Sequence, residues 1–167
     1  MGKIDRIYYL LISIISTLFV LDLFSTGSLP ATMDGLIHVS SIAQFSDALS
    51  QFNFPVIWLN NFANYGLPVG IFSHQLPIYI GAIIDLTFNN PVLSANIVTL
   101  FGILLSNILV FKFLRIYFPG RIAFLSTILF ILAPYRILNV FIRGAVPETF
   151  ALIFLPLILI LLQRLVI

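Results

Sequence analysis

Residues 92–111 read VLSANIVTLFGILLSNILVF, an apolar run without a single charge. A run of this length is enough to cross the hydrocarbon core of a bilayer as one α-helix, which needs about 20 apolar residues. Pro91 precedes it, at a position where proline favours a helix start, and Lys112 follows it. The stretch therefore predicts a membrane-spanning helix and indicates the fold class of the whole chain.

Three further apolar runs predict spans at residues 7–24, 121–134 and 148–164. The first follows Lys3 and Arg6, as a signal peptide would. It exceeds the roughly 7 to 15 apolar residues of a signal sequence, and no A-x-A-like cleavage site follows, so we expect an uncleaved span. Together the runs predict an all-α integral membrane protein with about four transmembrane helices.

Composition agrees with this class and excludes several others. Hydrophobic residues make up 60% of the chain and charged residues only 8%, against roughly 25% charged residues in a soluble domain. The net charge is +2, but the basic residues are scattered and form no patch, so no nucleic-acid partner is expected. The absence of cysteine excludes disulfides, thiolate metal sites and cysteine nucleophiles.

A long loop at residues 28–90 separates the first two predicted spans. Its first part, near 35–52, has apolar residues at helical spacing opposite polar ones, which predicts an amphipathic helix on the membrane surface. The apolar members are Ile42, Phe45, Leu49 and Phe52. A second apolar stretch, 76–88, is too short to span comfortably and predicts a juxtamembrane or re-entrant helix.

The distribution of basic residues predicts the orientation. With four spans, six basic residues lie inside and two outside; if 76–88 also spanned, the split would be even and the positive-inside bias would vanish. The inside set is Lys3, Arg6, Lys112, Arg115, Arg121 and Arg164. Both ends of the chain are therefore expected in the cytoplasm. Arg136 and Arg143, in a second outer loop at 135–147, are left on the translocated side.

Asp34 and His38 are the first candidate functional pair. Their i, i+4 spacing puts them on one face of a helix starting near Asp34, where a carboxylate could act as general base or metal ligand beside an imidazole. The alternative is structural: Asp34 caps the surface helix and His38 is an interfacial side chain.

Arg143 and Glu148 form the second candidate pair, where the chain re-enters the membrane. The arginine could bind a lipid phosphate bidentately, next to a helix start that favours anions. The structural alternative makes Arg143 a snorkelling residue and Glu148 a first-turn carboxylate that offsets the helix dipole. We also place Arg136, Trp58 and Tyr65 in the substrate-binding set, although aromatic-belt anchoring is the simpler interpretation of the two aromatic residues.

The order of these features resembles a known family. It comprises a first span, Asp34 with His38, the stretch Trp58, Tyr65, Gly66, Pro68 and Pro77 to Tyr79, then Pro134 and Tyr135, and finally RGAVPE at 143–148. This order resembles the N-terminal part of the bacterial and archaeal membrane proteins called 6-pyruvoyl-tetrahydropterin synthase-related, which are similar to C-type (GT-C) glycosyltransferases. The resemblance covers nearly the whole of this chain but only about the first third of a full family member. We therefore expect this chain to be a fragment of a longer protein.

The resemblance implies a site and a mechanism. Asp34 matches the loop acid that activates the acceptor or holds a divalent metal ion, and His38 fits this subfamily's Asp and His pattern. Where many members have two adjacent acids, this chain has Gly35. The implied donor is a polyprenyl-phosphate sugar, and the implied location is the bacterial or archaeal plasma membrane, with membrane lipids as partners.

Three functions follow as hypotheses. The first is sugar transfer from a lipid-linked donor at the outer face. The second is a non-catalytic membrane subunit or lipid-handling protein that retains the fold without the chemistry. The third, half of a small transporter, ranks last because few polar residues lie deep in the predicted spans.

Overall fold

The computed structural model describes residues 3–25, 31–60, 65–72 and 74–166. Of the predicted outer loop 28–90, residues 28–30, 61–64 and 73 therefore lie outside the described part. The helices are α1 (Lys3–Val20), continued by a 3₁₀ turn (Leu21–Phe24), α2 (Gly35–Ser50), α3 (Val69–Phe72), α4 (Gln75–Phe88), α5 (Pro91–Tyr117), α6 (Gly120–Ile131), α7 (Pro134–Ile137), α8 (Val146–Ala151) and α9 (Phe154–Val166). A π-helical segment, Leu138–Arg143, continues α7.

The all-α membrane class is confirmed for the described residues. Three helical stretches are long and apolar enough to cross a membrane, namely Ile4–Phe24, Pro91–Tyr117 and Val146–Leu165. The helices Gly120–Ile131 and Pro134–Arg143 are bent by 43° relative to each other, and they would add a fourth crossing if they act as one bent span. In the described ranges, β structure is limited to an isolated antiparallel bridge between Leu59 and Leu67.

Helical structure covers most of the predicted outer loop at 135–147. The helix before Pro134 ends at Ile131, close to the predicted end, and Pro134 itself occupies the first turn of α7, where its missing N–H costs nothing and its fixed φ suits the helix. Helical structure then runs to Arg143. Gly144, in the left-handed region at φ +65°, ends it, and α8 begins at Val146.

Helix α5 is the centre of the bundle, with α1, α4, α6, α8 and α9 packed against it. Gly102 permits the close approach of α8, because a Cβ at that position would lie 3.2 Å from the Cα of Phe150. The largest core cluster includes Ile42 of α2, Ala82 of α4 and Val98 of α5. The helices of the long loop are thus integral to the core.

Helix α2 is less amphipathic than its sequence suggests. Ile42 and Phe45 are buried as expected, but Ser41, which we predicted on the polar side, is buried as well, and so is Ser46. Phe52 lies beyond the end of the helix and is 96% exposed. The apolar face of α2 contacts α4 and α5, and these protein contacts replace the lipid contacts that we predicted.

Polar contacts also join α1 to α5. Arg115, near the end of α5, forms an ion pair of 3.0 Å with Asp5 at the start of α1. Half-way along the bundle, Asn107 donates to the Ser16 hydroxyl at 2.8 Å. These contacts hold α1 antiparallel to α5, so the end of α1 and the start of α5 lie at the opposite end of the bundle from Arg115.

Candidate functional site

A polar cavity of about 280 Å³ lies where α2 and α8 begin and where the π-helical segment ends. Its ionisable lining residues come from three distant parts of the sequence: Asp34, His38, His74, Arg143 and Glu148. The two pairs that we predicted separately, Asp34 with His38 and Arg143 with Glu148, thus face one cavity.

Backbone hydrogen bonds fix the two sides of this cavity to each other. The N–H of Asp34 donates to the carbonyl of Arg143 at 2.7 Å, and the N–H of Met33 donates to the carbonyl of Ile142 at 3.2 Å. Gly144 follows directly, and Thr32 occupies the space that a side chain there would need. The start of α2 is therefore held against the end of the π-helical segment.

Arg143 and Glu148 form a bidentate ion pair across the Gly144 turn. Both nitrogen–oxygen distances are 2.8 Å. Glu148 Oε2 also accepts from the Tyr135 hydroxyl at 2.9 Å and from the Asn139 amide at 3.2 Å. The same asparagine accepts from Arg143 Nη1 at 3.2 Å. Each charged group is thus held in place by the other and by neutral neighbours.

This pairing accounts for the position of Arg143 without a lipid. We predicted that this guanidinium could bind a lipid phosphate beside a helix start, and in the structure Glu148 occupies both of its terminal nitrogens. A phosphate would therefore have to displace a carboxylate that is already held bidentately. The cavity also contains two carboxylates, Asp34 and Glu148, against one guanidinium. This excess of negative charge favours a neutral hydroxyl ligand over a free phosphate.

Asp34 is at the N-cap position of α2, but its side chain makes no capping hydrogen bond. Its Oδ2 lies 3.5 Å from Nη2 of Arg143, and its side chain is 37% exposed. The structural alternative, a capping carboxylate, therefore does not describe Asp34. The carboxylate is held loosely and remains accessible from the cavity, as a general base must be.

His38 is buried beside Asp34, and its ring centroid lies 5.6 Å from that of His74. Burial lowers the pKa of His38 to about 4; charge on His74 and Arg143 lowers it too, whereas Asp34 and Glu148 oppose the shift. Burial also lowers the pKa of His74. His38 is consequently a neutral imidazole at pH 7, able to donate or accept a hydrogen bond without adding positive charge.

The divalent metal ion that the resemblance implies stays a prediction. No group of three or more His, Cys, Asp or Glu side chains in the described ranges is placed to hold one. Glu148, the nearest additional carboxylate, is engaged by Arg143.

No family model, curated protein or solved structure matches this chain.

Arg136, which we placed in the substrate-binding set, is not brought together with the other predicted site residues at the Asp34 cavity. Because α7 starts at Pro134, Arg136 turns into the bundle and is 2% exposed. Its Nη2 donates to Ser106, half-way along α5, at 3.1 Å, and its guanidinium lies 4.5 Å from the Phe130 ring centroid. Its Nε and Nη1 atoms are buried without a hydrogen-bond partner.

The two predicted aromatic residues are also outside the Asp34 cavity. Trp58 lines a separate groove beyond the other end of α2. Tyr65 is 91% exposed. Conversely, sequence reasoning missed His74, Tyr135 and Asn139 as members of the site. For His74 and Asn139 the sequence signal was polarity near a predicted membrane boundary, which many surface residues share, whereas Tyr135 appeared only in the order of features that carries the family resemblance.

Proposed function

We propose that this protein is a membrane-embedded, glycosyltransferase-like protein that uses Asp34 to activate an acceptor hydroxyl for transfer from a polyprenyl-phosphate sugar. The proposal includes four spans, with the bent α6–α7 pair as one of them, in a bacterial or archaeal plasma membrane with both chain ends in the cytoplasm. The observation that carries it is the convergence of Asp34 and His38 with Arg143 and Glu148 on one cavity.

Asp34 supplies the base in this mechanism. The acceptor hydroxyl gives its proton to Oδ2 of Asp34, and its oxygen forms a bond to the anomeric carbon of the donor sugar. The bond from that carbon to the phosphate oxygen breaks, the electron pair stays on that oxygen, and polyprenyl phosphate leaves. The neutral His38 ring, beside Asp34, offers a hydrogen-bonding group for the acceptor.

Arg143 has two roles in the proposal. Its contact with Oδ2 of Asp34 orients the base, and Glu148 fixes the guanidinium in turn. Arg143 is also the guanidinium that lines the cavity, so the phosphate charge that develops during departure is nearest to it. Contact with the phosphate requires Arg143 to give up one of its two contacts with Glu148, whose carboxylate Tyr135 and Asn139 continue to bind.

The same network supports the non-catalytic alternative. Glu148 accepts hydrogen bonds from three side chains, and Arg143 is bidentate, which is the pattern of a structural ion pair at a helix junction. A lipid-handling or assembly subunit would keep this junction and would not need Asp34.

An Asp34→Asn variant separates the two functions. The full chain is reconstituted with a radiolabelled polyprenyl-phosphate hexose, and transfer or hydrolysis is measured. We expect a loss of at least about 10²-fold, as for removal of a general base. Folding is expected to be unchanged, because Asn caps as well as Asp and the Asp34 side chain makes no cap bond.

Asp22→Asn is the matched control. Asp22 is also an acidic residue near the same end of the bundle, but it is exposed and bonded to Ser25. Its variant is expected to retain the wild-type rate. Equal rates for wild type and Asp34→Asn would instead support the non-catalytic subunit.

A further inference from the structure

A second groove, of about 540 Å³, lies at the C-terminal half of α2 and along the chain that follows it. Its walls carry amide and carboxylate side chains and an exposed indole, and none of its lining residues is basic. The polar lining residues and the indole are Gln44, Asp47, Gln51, Asn53, Asn60 and Trp58.

The groove is built on a fixed scaffold. The N–H of Val56 donates to the Tyr79 hydroxyl of α4 at 2.8 Å, and Val56 itself is buried. Leu59 is 1% exposed and forms both hydrogen bonds of the bridge to Leu67 at 2.9 Å. The segment that carries Asn53 and Trp58 is therefore tied to the core on both sides.

Trp58 is held as a flat platform. A Cβ on Gly66 would lie 2.3 Å from Nε1 of the indole, so the ring occupies the space that any other residue at 66 would fill. Gly66 also has φ +77°, which other residues rarely adopt. The indole is nevertheless 52% exposed. Part of the ring is thus supported by backbone while the rest remains available to a ligand.

This chemistry matches a neutral glycan. The C–H face of a sugar ring is apolar and packs on an indole face, whereas its hydroxyls need partners that both donate and accept hydrogen bonds. Asn and Gln amides do both, and Asp47 adds an acceptor. The absence of basic side chains from the described walls disfavours a phosphate or another anion.

The groove and the Asp34 cavity are aligned along one helix. Asp34, His38 and Ser41 line the cavity, and Gln44 and Ala48 line the groove. These residues follow one another at spacings of three or four, so they lie on one stripe of α2. From Asp34 to Ala48 the stripe is about 20 Å long at ~1.5 Å per residue.

We propose that this groove binds the acceptor, a neutral oligosaccharide whose chain stacks on Trp58 and whose growing end reaches Asp34. The inference rests on the proposed function for the role of acceptor. Binding itself does not depend on catalysis. Several sugar units are needed to cover the stripe, so a trisaccharide binds more tightly than a monosaccharide.

Trp58 is the only tryptophan of the chain, so its emission reports on the groove alone. The protein is purified in a zwitterionic detergent without a sugar headgroup and titrated with maltotriose, chitotriose and glucose. We expect a saturable change in emission with at least one trisaccharide, with weaker binding of glucose. Gln51→Ala and Asn53→Ala are each expected to weaken binding about fivefold, which corresponds to one neutral hydrogen bond.

Two variants test the indole itself by calorimetry. Trp58→Ala is expected to abolish heat of binding, and Gly66→Ala to reduce it, because the added methyl displaces the ring. Phe72→Ala is the matched control: Phe72 is an aromatic residue of the same loop, 85% exposed and not part of the groove lining, and its variant is expected to bind as wild type does.

Two results would overturn the groove assignment. One is an unchanged emission with all three sugars, together with a blue shift on added phospholipid vesicles, which would make Trp58 an interfacial anchor. The other is equal weakening by Phe72→Ala and Trp58→Ala. If the trisaccharide binds but Asp34→Asn transfers sugar as wild type does, the mechanism at Asp34 fails and the groove assignment stands. If wild type transfers sugar in a manner that depends on Asp34 but no trisaccharide binds, the groove assignment fails and the mechanism stands.

Discussion

Acid should destabilise this protein through His38, well above the pH at which its carboxylates protonate. The folded protein holds the pKa of His38 at about 4, whereas an unfolded chain has the ordinary value of 6.5. Below pH 6.5 the unfolded chain therefore binds a proton that the folded protein does not. The contribution of His38 to the free energy of unfolding is therefore fully present above pH 6.5 and is lost progressively as the pH falls towards 4.

The magnitude follows from these two pKa values. At pH 5 the unfolded histidine is almost fully protonated and the folded one is mostly neutral, which lowers the free energy of unfolding by about 2 kcal/mol relative to pH 8. For a chain of this size that corresponds to a fall of about 4 to 8 °C in the thermal midpoint. His74 acts in the same direction, because burial lowers its pKa as well.

The assay is thermal unfolding in detergent at pH 8 and pH 5, followed by circular dichroism, for wild type and His38→Gln. Glutamine keeps a polar side chain of similar reach but does not titrate. The thermal midpoint of wild type is expected to fall by at least 4 to 8 °C between pH 8 and pH 5. The midpoint of His38→Gln should fall less, because only the effect of His74 remains. The reasoning would be refuted by an equal pH dependence in both proteins, because burial of a neutral His38 would then contribute nothing.

Three other substitutions follow from the structure. Gly144→Ala places a Cβ 2.4 Å from the Thr32 hydroxyl at φ +65°, so the thermal midpoint should fall by several degrees; an unchanged midpoint would mean that the turn is not held as described. Arg136→Met removes two buried donors that have no acceptor and keeps the length of the side chain, so the midpoint should stay level or rise, and a fall would reveal a partner for this guanidinium. Arg143→Lys keeps the charge but loses the bidentate contact with Glu148, so the thermal midpoint and the transfer rate should both fall, whereas equal midpoints and transfer rates would show that the planar guanidinium is dispensable.

The membrane class and the approximate spans could be predicted because they depend on local properties. The run at 92–111 falls within α5, Pro91–Tyr117, since uninterrupted apolar length is itself the signal for a span. The end of the third run could not be predicted in the same way. A proline ends one helix and begins another equally well, and which of these Pro134 does depends on how the next turn packs.

The site shows the same division. Asp34 and His38 could be proposed from helical spacing, since both belong to one turn of α2. The partner of Arg143 was nearby in sequence, at Glu148, but the pair forms only because Gly144 reverses the chain between them. His74 faces His38 through tertiary packing, and no spacing rule relates residues that far apart.

The most direct test of the account is to determine the side of the membrane on which the Asp34 cavity opens. A lipid-linked donor at the outer face cannot reach a cytoplasmic site. The chain has no cysteine, so single cysteines can be placed at Ser50, exposed at the end of α2, and at Pro119, exposed between α5 and α6. In intact cells, a membrane-impermeant maleimide should label Ser50→Cys directly and Pro119→Cys only after permeabilisation. The reverse pattern would place the cavity in the cytoplasm and contradict the account.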